Sequence, residues 1–246
     1  MTNPVQQVAD VITLPARGVG NQAADLASTS MQTLRAWTAN EVDDWGRDNA
    51  FVNRIWSLSQ LRWNISVGGA ERVPKRAGAL IVVNARRLAL APLFTALAIG
   101  AATDRPVRFV GRPDTAPVGP MMQRLGALLP VDAEILGALR AGEVVVIGAE
   151  HEYSNRRTGI VDHRQVGAAV AAKVQVLPAA TVSVPLRRNA RVEIGPAVRI
   201  RKRRRGPLEE LETADLVQTH VDAMLAEMGG TMTGTPLDWL PTGGLG

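Results

Sequence analysis

The sequence predicts an α/β fold: a single domain with a central, mostly parallel or mixed sheet, covered by helices on both faces and preceded by N-terminal amphipathic helices. Three observations predict it. From residue 64 onward, short β-rich runs alternate with helical ones, the pattern of an α/β sheet. Two of these runs, LIVV at 80–83 and VVVI at 144–147, are apolar at every position, as strands are when helices cover both sides. A chain of 246 residues with 46% apolar content can also bury a substantial core, and its size favours one large domain with tails. The expected division is an N-terminal helical region over 1–49, the α/β domain over 50–228 and a C-terminal tail over 229–246.

Residues 21–47 have helical character, because Leu26, Leu34, Trp37 and Trp45 recur at roughly one-face spacing. A second amphipathic segment follows, carrying Phe51, Val52, Ile55, Trp56 and Trp63. Five of the chain's nine aromatics fall between 37 and 63. Such a stripe fits a core, and it also fits a membrane-interface surface with Trp56 and Trp63 at headgroup depth. The strand candidates are NISVG, ALIVV, VRFVG, EVVVI, VQVLPAATV and RVEIGPAVRI, with helices between them at about 91–102, 117–125, 133–141 and 163–173. Asp132 is a candidate cap for the third of these. The last helix has the clearest punctuation. Pro207 stands in its first turn, Glu209, Glu210 and Glu212 complement the N-terminal dipole, and Gly229 and Gly230 end it. The tail beyond is rich in Gly, Pro and Thr, with Trp239 as a docking anchor.

Several chemistries are excluded. The chain has no cysteine, which removes disulfides and thiolate sites, and His151, His163 and His220 are too scattered for a structural zinc site, so no metal is expected. No dinucleotide-binding glycine motif, phosphate-binding loop or nucleophile elbow occurs, and no cofactor is expected. The N-terminus MTNPVQQVADVITLPARG does not read as a secretory signal. The apolar run at 88–102 is shorter than the roughly 20 residues of a spanning helix. A cytoplasmic protein is expected, peripheral on the inner face of the plasma membrane.

Charge is distributed unevenly. Residues 1–50 carry three Arg against six Asp and Glu, whereas 187–205 carry eight Arg and one Lys against Glu193 alone. The run at 199–206 contains Arg199, Arg201, Lys202, Arg203, Arg204 and Arg205. A basic stripe suits lipid headgroups or nucleic-acid phosphates, and it also suits a solvated loop.

The segment WNISVGGAERVPKRAGALIVVN, 63–84, resembles the entry into the glycerolipid acyltransferase superfamily, the lysophosphatidic-acid-acyltransferase-like proteins. Downstream, RPVRFVGRPD with GPMMQRLGALLPVD is similar to the family's second block. RAGEVVVIGAEHEYSNRRTG occupies the place of its Phe-Pro-Glu-Gly-Thr-Arg block, and VQVLPAATVSVP resembles its final strand. The resemblance covers roughly 60–200 and lies in order and spacing. It implies transfer of an acyl group from a thioester to a glycerolipid hydroxyl by a His and an Asp separated by four residues. Both are absent: with Asn84 matched to the family's Asn, the His position is Ala85 and the Asp position is Leu90. No histidine of the chain has the paired acid, since Arg156, Ala168 and Leu225 follow at that spacing. His151, between Glu150 and Glu152, is the one candidate catalytic group beside the altered block.

Ligands of α/β sheets sit at the carboxyl ends of strands. Asn84, Arg86 and Arg87 follow one strand, Arg112 another, and Arg156 and Arg157 a third. These six residues are the candidate anion- or phosphate-binding set, with arginine suited to paired hydrogen bonds to phosphate. The expected function is therefore an acyltransferase-family protein that binds an acyl or anionic lipid ligand at a degenerate site, or a protein partner. The alternatives are an active transferase with a noncanonical site, using an acyl-thioester donor, and a nucleic-acid-binding protein. The last ranks lowest because the basic run lacks interleaved aromatics for stacking.

Overall fold

The computed structural model describes residues 42–85, 90–113, 115–149, 160–183, 189–200 and 206–229. Helix α1 (Asn49–Arg62) starts where the Asp48 carboxylate accepts the Phe51 N–H at 2.9 Å, satisfying one of the free donors of the first turn. Then come β1 (Asn64–Gly68), β2 (Ala79–Asn84), α2 (Ala91–Thr103), β3 (Val107–Val110), α3 (Val118–Arg124), β4 (Ala127–Leu128) and α4 (Asp132–Arg140). The chain continues with β5 (Val144–Ala149), α5 (His163–Ala172), β6 (Gln175–Ser183), β7 (Asn189–Ile194) and α6 (Pro207–Glu227).

The seven strands form one sheet in the order β1-β7-β6-β2-β5-β3-β4. Pairing is parallel everywhere except between β6 and β7, which are antiparallel. The alternation of side chains along each strand feeds two cores. Ala79, Ile81 and Val83 of β2 meet α1 and α2 on one face with Phe94, Ile99 and Trp63. Leu80 and Val82 meet α4, α5 and α6 on the other, with Ile135, Val166 and Val221. The expectation of a mixed sheet covered on both faces is met, and β2 at its centre is buried on both sides.

Several boundaries differ from expectation. Residues 42–47 are not helical; an isolated bridge between Val42 and Asp48 closes them into a loop. The Asp43 carboxylate holds that loop by accepting the N–H groups of Trp45 and Arg47 at 3.0 and 2.9 Å. Residues from Val42 onward form one compact unit with the sheet and its helices. The helix expected over 21–41, the tail from 230 and Trp239 lie outside the described residues. Val131, not Asp132, is the N-cap of α4, and Asp132 sits in its first turn. β4 was not expected, and β7 stops at Ile194 although its sequence run continues to 200.

Among the described residues no helix is long and apolar enough to cross a membrane. Trp63 is 2% exposed and meets Phe94 edge-on, with ring centroids 4.8 Å apart. The reading of Trp63 as a membrane-surface residue is therefore wrong. Its indole is fixed in the core by the start of β1 and by α2.

Candidate functional site

β2 and β5 are neighbours, yet their connections leave to opposite faces: α2 follows β2 over one core, and α5 follows β5 over the other. A pair of parallel strands with that divergence opens a crevice at its carboxyl ends, where open α/β sheets hold their ligands. Asn84 and Ala149 are register partners at this edge.

Asn84 and Arg112, two of the polar side chains expected there, are already engaged. Asn84 donates through Nδ2 to the Thr181 carbonyl at 2.9 Å and accepts the Thr181 N–H at 2.7 Å. The β2–β6 ladder ends one residue earlier, at Val83 and Ala179. The side chain thus continues the ladder where the two backbones separate, and Asn84 is a strand clasp, not the anion-binding group expected of it. Arg112 lies 3.5 Å from the Glu134 carboxylate, with only 17% of its side chain exposed. That ion pair turns it towards α4, which corrects its expected place facing an anion at the strand exits. Arg86, Arg87, His151, Arg156 and Arg157 lie outside the described residues.

Ala85, where the sequence resemblance leads one to expect a histidine, is closed off. Ala85 is 8% exposed and joins the core under α2. Gly148 on β5 makes this possible, because a Cβ added there would lie 2.6 Å from the Ala85 Cβ and 3.1 Å from the Pro92 Cγ. Leu90 is the N-cap residue of α2 and packs against the same core. A leucine supplies no side-chain hydrogen bond to the helix start, and none is made. The hydroxyl oxygens of Thr95 on α2 and Thr181 on β6 are buried without a hydrogen-bond partner.

The fold at this point is similar to that of the crystal structure of the 1-acyl-sn-glycerophosphate (LPA) acyltransferase PlsC from Thermotoga maritima. The match covers 72% of this chain and 78% of that one, with a TM-score of 0.53 and 16% sequence identity. The fold is acyltransferase-like. At that identity the likeness is one of architecture and does not carry the catalytic residues across. No family model matches the chain, and no curated protein sequence does.

Within this acyltransferase-like fold, two groups of charge were missed from sequence. Arg108 on β3 is 1% exposed and binds the Asp43 carboxylate at 2.5 Å and the Glu143 carboxylate at 3.1 Å. Burial raises the Asp43 carboxyl, but the hydrogen bonds from Arg108 and from the backbone of Arg47, with the Arg108 charge, outweigh it and hold the pKa below the ordinary aspartate value. The signal for Arg108 was a single charge inside VRFV, a strand otherwise apolar on both faces. The second group is Asp48, which pairs with Arg124 at 2.6 Å while capping α1. His163 opens α5, and the ring of His220 on α6 makes a hydrogen bond with the Leu216 carbonyl. Among the described residues no group of three His, Asp or Glu side chains could hold a metal ion.

Of the expected membrane surface, Trp56 is half-buried against the core of α1 and α2. Arg199 is exposed and lines a surface groove with Glu209 and Asp215 of α6. Arg201, Lys202, Arg203, Arg204 and Arg205 lie outside the described residues. The exposed apolar side chains of α1 are Leu58 and Leu61, at 60% and 71%.

Proposed function

We propose that this chain is an acyltransferase-like protein that binds an acyl or anionic lipid ligand between β2 and β5 and does not transfer the acyl group. The observation that carries this reading is the apolar closure of Ala85 against Gly148 and Pro92. A positioned general base supplies about 10²- to 10⁴-fold, and neither Ala85 nor Leu90 can move a proton. In this reading Arg86, Arg87, Arg156 and Arg157 grip the anionic headgroup by paired hydrogen bonds. The basic run from Arg199 to Arg205 draws the protein to the inner leaflet, each cation contributing about 1 kcal/mol near an anionic surface. Leu58 and Leu61 suit the apolar insertion that this attachment needs, since charge alone is screened within about 8 Å at physiological salt.

The experiment is sedimentation with vesicles of phosphatidylglycerol and phosphatidylcholine over a salt series, beside a DNA gel shift in the same buffers. Binding to the anionic vesicles should exceed binding to pure phosphatidylcholine and fall with salt. Replacing Arg86, Arg87, Arg156 and Arg157 by Gln should weaken capture of a lysophosphatidate in a separate binding assay. Equal partition to both vesicle types, or tighter binding to DNA, contradicts the reading. A second reading, an active transferase with His151 as base, draws on the glutamates that flank that histidine. It predicts turnover with a bell-shaped pH dependence.

A further inference from the structure

At the opposite end of the sheet from the β2–β5 crevice, α1 and the turn between α2 and β3 enclose a groove of about 290 Å³. Arg47 lines it and is 8% exposed. Its Nη1 donates to the Asn49 side-chain oxygen, while its Nε is buried and has no hydrogen-bond partner. The carboxylates whose charge reaches Arg47, Asp43 and Glu143, are both held by Arg108. Among the described residues no carboxylate lies within ion-pair distance of Arg47. Burial and then the charge of Arg108 push Arg47 below arginine's ordinary value, against the opposing pull of Asp43 and Glu143. That ordinary value lies so far above neutrality that the guanidinium stays charged. Asp43 and Glu143 balance Arg108 and Arg47 in charge, but neither pairs with the Arg47 guanidinium, which keeps an unmet donor that an added acceptor would relieve.

The rest of the groove restricts which anion. Trp56, Val52 and Leu97 form an apolar wall. Arg105 is pinned at the edge, donating to the carbonyls of Pro74, Ala77 and Gly142. Asp104, exposed at the C-cap of α2, is the groove's own carboxylate and disfavours a doubly charged guest. We propose that this groove binds a small organic monocarboxylate, with its carboxylate on the Arg47 guanidinium and its apolar body against Trp56 and Leu97. Arginine's planar guanidinium meets a carboxylate with directed N–H hydrogen bonds. The volume lies at the lower end of small-molecule sites, which selects a compact ligand. The site is separate from the β2–β5 crevice and does not depend on the lipid reading.

The test uses the full chain and follows the indole N–H resonance of Trp56, assigned with Trp56→Phe, during titration with sodium benzoate, benzyl alcohol or inorganic phosphate. Benzoate should shift it saturably with a millimolar Kd, about tenfold or more tighter than the alcohol or phosphate. Arg47→Met should weaken benzoate about tenfold or more. Because Arg47 is buried and its replacement also perturbs the fold, Ala101→Phe gives a second variant. Ala101 is exposed on α2 and lines the groove, so a phenyl ring there fills the space while leaving Arg47 intact, and benzoate binding should be lost. Absence of a saturable shift, equal affinity for the alcohol or for phosphate, or undiminished binding in Ala101→Phe or in a folded Arg47→Met chain overturns the proposal.

Discussion

Gly148→Ala tests whether residue 85 is turned under α2. The added methyl would lie 2.6 Å from the Ala85 Cβ and 3.1 Å from the Pro92 Cγ. Carbon atoms are most comfortable at about 3.5–4.0 Å, so the first contact overlaps by about 1 Å. Neither neighbour can swing aside, one being a single bond from the backbone of β2's exit and the other a proline ring. Overpacking of this kind costs about 1–3 kcal/mol, and loss of glycine's freedom in the unfolded chain returns about 0.4–1 kcal/mol. The net destabilisation is about 1–2 kcal/mol, a fall in Tm of roughly 2–8 °C for a chain of this size. The diagnostic step is the double variant with Ala85→Gly, which removes the 2.6 Å contact. A thermal-melt double-mutant cycle should give a favourable coupling of about 1–2 kcal/mol between the two positions. Additive single effects, or a Gly148→Ala chain as stable as the parent, would refute the packing argument. Residue 85 would then not be packed into the core under α2.

Other expectations can be checked independently. Arg108→Met leaves Asp43 and Glu143 without their shared cation and should cost about 3 kcal/mol or more by urea denaturation. Arg108→Lys should not restore it, because one ammonium cannot reproduce the two directed contacts. Asn84→Ala removes the bonds to Thr181 at 2.9 and 2.7 Å. It should destabilise by about 1–3 kcal/mol, and hydrogen exchange at the Thr181 amide should accelerate. Burial raises the Asp48 carboxyl, but the hydrogen bond and charge of Arg124 and the N–H groups of Phe51 and Ala50 prevail and depress its pKa. A depressed carboxyl stabilises fully above its unfolded value of about 4 and loses that contribution as pH falls through the folded value. The urea midpoint should therefore drop in acid, and Asp48→Asn should flatten that part of the profile.

What the sequence revealed follows the range over which its signals act. The runs at 80–83 and 144–147 needed only local composition to be placed as central strands, and Pro207 and Gly229 punctuate α6 without help from elsewhere. The misplaced elements depend on distant partners. Trp45 fell at helical spacing, but the loop around it is held by Asp43, whose partner Arg108 is 65 residues away. Asn84 stood at a strand exit like a ligand-binding residue, and its amide is taken by a backbone group 97 residues away. Arg112 looked free until Glu134 of α4 came beside it. β4, with two residues, is too short for any periodicity to register. The tryptophan stripe was ambiguous because core and interface share one composition, and the burial of Trp63 resolves that residue.

The central claim is that the chain holds a lipid-like anion without transferring its acyl group. It is tested most directly by incubating the purified protein with a long-chain acyl thioester and a lysophospholipid acceptor and following thiol release together with diacyl product. The account predicts rates indistinguishable from the protein-free reaction across several acceptors. Turnover well above that background, abolished by His151→Ala, would contradict it.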